Sequence, residues 1–123
     1  MAPRILVVDD TQAIRRSVRF RIEKETDWEI CGEAENGREA IARVKELKPD
    51  VVLLDLSMPV MNGLDAARHI KAIAPHIHIV MFTLHTYPQL LDEARKVGIA
   101  KVLSKSGAAE SDLVYAVRSL LAA

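Results

Sequence analysis

Apolar residues cluster in short runs along the chain: Ile5 to Val8, Glu29 to Cys31, Val51 to Leu54, Ile77 to Phe82 and Val102 to Leu103. Runs this short and this continuous suit strands buried on both faces, as in a parallel sheet. Between them the spacing turns helical. Thr11 to Glu25 carries Ile14, Val18 and Ile22 at four-residue steps, with Arg15, Arg16 and Arg19 set largely on other faces. A second helix opens at Asn36-Gly37, lines up Ala40, Ile41, Val44 and Leu47, and ends before Pro49. A third starts near Asn62-Gly63, uses Leu64, Ala67 and Ile70, and stops before Pro75. A fourth follows Pro88, with Leu91, Ala94 and Val97 inward and Gly98 as its stop. The last runs from about Ala109 to Leu121 and buries Leu113, Ala116, Val117 and Leu120. Alternating strands and helices, five of each, predict an open, doubly wound α/β sheet in a single domain, residues 1–123.

The ends of two strands carry the chemistry. Asp9 and Asp10 close the first apolar run and Asp55 closes the third. In doubly wound sheets ligands bind beyond the carboxyl ends of the strands, so these acids meet there. Their mutual repulsion calls for a hard cation, and oxygen-only ligands suit magnesium (Mg2+), so the pattern points to metal-dependent phosphate chemistry. Charge and cysteine content narrow the rest. Lys plus Arg equals Asp plus Glu at 17 each, which gives no basic surface for nucleic acid or an anionic membrane. A single cysteine, Cys31, excludes an internal disulfide and fits a reducing cytoplasm. The first apolar run is too short for a signal-peptide core, and no segment reaches the length of a membrane span.

The string KPDVVLLDLSMPVMNG, from Lys48 to Gly63, resembles the receiver domain of bacterial two-component response regulators. ILVVDD at Ile5 to Asp10, AENGREA at Ala34 to Ala40, VMFT ending at Thr83 and VLSK ending at Lys105 follow in the family's order and spacing. The resemblance implies a flavodoxin-like fold with strand order 2-1-3-4-5. It also implies that a histidine kinase or phosphotransfer protein phosphorylates Asp55. Asp10 then matches the direct magnesium ligand, Asp9 an acid acting through bound water, and the Ser57 backbone carbonyl a further ligand. Thr83 and Lys105 complete the set, as a hydroxyl donor and a cation for the phosphoryl group.

Where the family couples switching to an aromatic ring three positions before the lysine, this chain has Val102, so a smaller rearrangement or one using His85 or Tyr87 is expected. Ser57 and His85 are expected to flank the phosphoryl group and set its lifetime. Ser106 stands where many members have proline, which leaves the isomer of the Lys105-Ser106 peptide open. The tail from Ser104 to Ala123 resembles receivers of helix-turn-helix regulators, which suits an N-terminal fragment of such a protein, and a free-standing regulator is equally compatible; no output domain is expected within these residues, and receivers of this kind often form homodimers through helical faces.

Other readings are plainer. Arg15, Arg16, Arg19 and Arg21 read as a solvated helix surface or as a docking face for the kinase. His76 and His78 lack a third ligand, His69 reads as a surface helix residue, and Asp50 and Asp65 as loop or helix-start acids. Trp28 reads as pinning a strand entrance and Cys31 as a small buried apolar group. The module is expected to signal rather than to act as an enzyme. A magnesium phosphatase of the haloacid-dehalogenase type is the alternative, yet it wants a second acid two residues after its nucleophile, and Thr11 and Ser57 occupy those places. A flavin carrier shares the fold, but DDTQAIRR puts acids where its phosphate would sit.

Overall fold

The computed structural model describes residues 2–84, 86–105 and 112–122. The expectations for His85, for Ser106 and its peptide, and for the start of the last helix near Ala109 lie outside the described residues. Five strands and five helices alternate: β1 Arg4–Val8, α1 Gln12–Glu25, β2 Glu29–Ala34, α2 Gly37–Leu47, β3 Val51–Leu54, α3 Gly63–Ile73, β4 His78–Thr83, α4 Leu90–Lys96, β5 Lys101–Ser104 and α5 Asp112–Leu121. The strands are parallel in the order β2-β1-β3-β4-β5, the flavodoxin-like arrangement that the resemblance implies.

The strand runs split by parity, because successive side chains leave a strand on opposite faces. Leu6, Val8, Val52, Leu54, Ile79 and Met81 pack with α2, α3 and α4 through Ala40, Val44, Ala67, Ile70, Leu90 and Ala94. Ile5, Val7, Val51, Leu53, Val80 and Phe82 pack on the other side with α1 and α5 through Val18, Ile22, Leu113 and Val117. Both faces are therefore dry, which is why the runs are unbroken by polar residues. No described helix is long and apolar enough to cross a membrane.

Local signals set the helix starts. Asn36 and Asn62 cap α2 and α3, their side chains accepting from the amides of Glu39 and Asp65 at 2.8 and 2.9 Å. Lys48 ends α2 in the left-handed region, with φ 51°. Three expectations are corrected. β2 runs on to Ala34, because the β1–β2 register shifts between Ile5 and Leu6 and β2 then resumes pairing at Gly32. A strand read for apolar content breaks at that bulge, although the backbone pairing does not stop there. Leu91 is 61% exposed, and α4 instead turns Leu90 and Ala94 inward. Arg15 is buried rather than solvated.

Cys31 lies half-buried at the bulge, its thiol donating to the Ile5 carbonyl at 3.4 Å. Burial pushes this thiol above the ordinary cysteine value, the behaviour of a packed apolar group rather than a reactive one. Trp28 packs against the α1/α5 side of the core, and the Arg118 guanidinium lies 5.8 Å from its ring centroid.

Candidate functional site

The ends of β1, β3, β4 and the β5 exit converge at one edge of the sheet. Asp9 follows β1, its amide donating to the Ala34 carbonyl at 3.0 Å; Asp55 follows β3, its amide donating to the Val8 carbonyl at 3.0 Å. These two bonds continue the sheet one residue past the assigned strands and fix both acids side by side. Lys105 follows β5 and is tied to β4 by its amide, which donates to the Thr83 carbonyl at 2.9 Å. Thr83 ends β4 and is almost fully buried.

The side chains meet as the backbone directs. The Lys105 ammonium, with a side chain only 5% exposed, donates to Asp9 Oδ2 and lies 3.3 Å from Asp55 Oδ1. Asp55 Oδ1 also accepts from the Leu56 amide at 2.8 Å, and Asp9 Oδ1 from the Thr11 amide at 2.9 Å. Asp10 stands exposed at the mouth, and one carboxylate oxygen from each of Asp9, Asp10 and Asp55 falls within 4.8 Å of the others. This donor set is all oxygen and carries three potential negative charges, a fit for a hard divalent cation. His76 and His78 do not join it.

Burial pushes the Asp55 carboxyl above the ordinary aspartate range; Lys105 pulls it down and Asp9 pushes it up again. Desolvation is the largest of these effects.

The loop after Asp55 is held by two close backbone approaches. The Gly63 amide donates to the Leu56 carbonyl at 2.8 Å, and a Cβ on Gly63 would come within 2.2 Å of the Asp55 carbonyl oxygen. The Gly37 amide donates to the Met61 carbonyl at 3.1 Å, and a Cβ there would meet that oxygen at 2.7 Å. Between them Val60, exposed and β-branched, is forced to φ 70°. The NG pairs, legible in sequence as helix starts, thus also let two helix ends press the loop after Asp55 into place. Ser57 is exposed in the same loop.

One residue at this site escaped sequence reasoning. Arg15 Nη1 donates to the Asp9 carbonyl at 2.6 Å and its Nε to Glu33 Oε1 at 2.9 Å, while Arg19 Nη1 donates to Glu33 Oε2 at 2.8 Å. The signal was present: Arg15, Val18 and Ile22 follow the three- and four-residue steps of one buried helix face.

Comparison with known proteins agrees with the geometry. The family model of the response regulator receiver domain matches residues 5–118. The chemotaxis protein CheY of Thermotoga maritima is 40% identical over 105 residues, covering 85% of this chain and 87% of that protein. A protein-glutamate methylesterase/protein-glutamine glutaminase of Caldanaerobacter subterraneus subsp. tengcongensis is 39% identical over 105 residues; the match covers 85% of this chain but 29% of that longer protein. The crystal structure of a LuxR-family two-component response regulator from an Aurantimonas species superposes with a TM-score of 0.93 at 31% identity, covering 99% of this chain and 86% of that one. The haloacid-dehalogenase alternative finds no support in these comparisons.

Replacing Gly63 with alanine should push the α3 end off the Asp55 carbonyl and cost about 1–3 kcal/mol of stability. Urea denaturation checks this, and an unchanged midpoint would mean that the close approach does not constrain the loop.

Proposed function

Because the chain belongs to the response-regulator receiver family, we propose that its Asp55 carboxylate takes a phosphoryl group from a phosphohistidine donor, a histidine kinase or a phosphotransfer protein. The observation that carries this reading is the meeting of the Lys105 ammonium with both Asp9 and Asp55 while Asp10 lies within reach of the same oxygens. In the transfer the phosphorus–nitrogen bond of the donor breaks, a phosphorus–oxygen bond forms to Asp55, and the imidazole leaves.

An anionic donor approaching an anionic nucleophile needs positioning and charge neutralisation more than covalent help. Asp10, Asp55, the Ser57 carbonyl and, through water, Asp9 are the groups to hold magnesium. When bound, that ion supplies positive charge to the phosphoryl oxygens. Lys105 brings a second, mobile point charge from the β5 side. Thr83, at the end of β4, donates its hydroxyl to a phosphoryl oxygen once Asp55 is modified. Ser57, exposed two residues past the acceptor, governs the approach of attacking water, a role His85 is proposed to share.

Thr83 then couples the site to the β4–α4 loop. Val102 and Tyr87 line one groove of about 520 Å³ between α4 and β5, and the Tyr87 hydroxyl donates to Glu93 Oε2 at 2.6 Å. With valine at position 102, Tyr87 is the aromatic side chain placed to move. Exposed Leu91 on α4 and exposed Tyr115 on α5 are apolar surface that supports self-association through helical faces. Balanced charge and an unreactive thiol support a cytoplasmic receiver, residues 1–123, that controls a partner or an output domain, such as a helix-turn-helix unit, and that neither catalyses turnover nor binds nucleic acid itself.

Acetyl phosphate with magnesium should add one base-labile phosphoryl group to the protein and none to Asp55→Asn, as read by intact mass. Equal labelling of the variant would remove Asp55 as acceptor. Binding of beryllofluoride should shift amide resonances beyond the pocket, through the β4–α4 loop to Tyr87; shifts confined to the acid cluster would refute the switch.

A further inference from the structure

We propose that Arg15 is a positioning residue for the metal site, acting through the peptide that joins Asp9 to Asp10; the inference rests on the magnesium reading above. β1 ends at Val8, and the Asp9 amide makes the final bond toward β2. The Asp9 carbonyl is met from α1 instead, by Arg15 Nη1 at 2.6 Å. That carbonyl belongs to the planar Asp9–Asp10 peptide, so fixing its direction fixes the plane from which the Asp10 chain leaves. Asp10 is exposed, unlike Asp9 and Asp55, and so depends most on its backbone for aim. The guanidinium can do this because it is itself held: it is 8% exposed, its Nε bonds Glu33 Oε1 at 2.9 Å, and its Nη2 lies 4.0 Å from Glu35 Oε1.

Charge and geometry would move metal affinity in opposite directions. Removing a cation near the acids would favour a second cation, whereas loosening the Asp10 peptide would disfavour it. Removing Arg15 leaves Arg19 against Glu33 and Glu35, one charge more negative, so the charge-keeping Arg15→Lys variant isolates the geometric effect. An arginine fork serves two acceptors at once, here a carbonyl and a carboxylate; a lysine, as a point donor, serves them less well.

Calorimetric titration of Mg2+ into the full chain reads the effect directly. Arg15→Met should raise the magnesium dissociation constant about tenfold, the size expected when a group orienting a metal ligand is removed. Arg15→Lys should fall between it and the wild type. Arg21→Met, which breaks the exposed pair with Glu25 on the same helix, should leave the constant unchanged. Phosphorylation by acetyl phosphate at saturating Mg2+ should return to near the wild-type rate in both Arg15 variants, because the loss lies in metal binding and not in the transfer. An unchanged dissociation constant in Arg15→Lys would overturn the proposal, even if Arg15→Met fails to fold. A wild type that binds no Mg2+ would instead contradict the magnesium reading.

Discussion

The structure is organised around the mutual repulsion of carboxylates that the sheet brings together. Parallel pairing of β1 with β3 places Asp9 and Asp55 side by side, and burial makes their charges costly. Positive charge must answer them. The Lys105 ammonium does so from the end of β5, bonded to Asp9 and close to Asp55. The site is thus a place where charge is held under constraint.

That constraint explains why the surrounding backbone is so closely fitted. Two asparagine-capped helices begin with glycines that touch the carbonyls of Asp55 and Met61, and the loop between takes a strained turn at Val60. Two dry faces hold the strands that end in these acids, so the carboxylates sit on rigid supports rather than on free loops. Past Thr83, Leu84 and Tyr87 stand exposed ahead of α4.

Much of this was legible in the chain. The unbroken apolar runs marked β1, β3 and β4 because both sheet faces are covered, and the acids closing two of them marked the site. Strand order came from the family resemblance, since alternation alone does not order strands. What stayed hidden depended on tertiary partners. Glu33 lies in a strand that looked finished at Cys31, and only the sheet edge shows it facing α1. Arg15 looked like one of several surface cations until the helix phase set it beside Val18 and Ile22. Leu91 was read inward because it stands three residues before Ala94, whereas the buried face of α4 reaches Ala94 by the four-residue step from Leu90. Gly63 was read as a helix-start signal, and its contact with the Asp55 carbonyl could not be foreseen from spacing.

Paramagnetic broadening by Mn2+ tests the central claim most directly, because it reports where a divalent ion sits without reference to phosphorylation. In a two-dimensional amide spectrum, trace Mn2+ should first erase the resonances of Asp9, Asp10 and Thr11 together with those of Asp55 to Ser57, and excess Mg2+ should restore them. Broadening centred on the opposite end of the sheet, around Asp50, His76 and His78, would contradict the account.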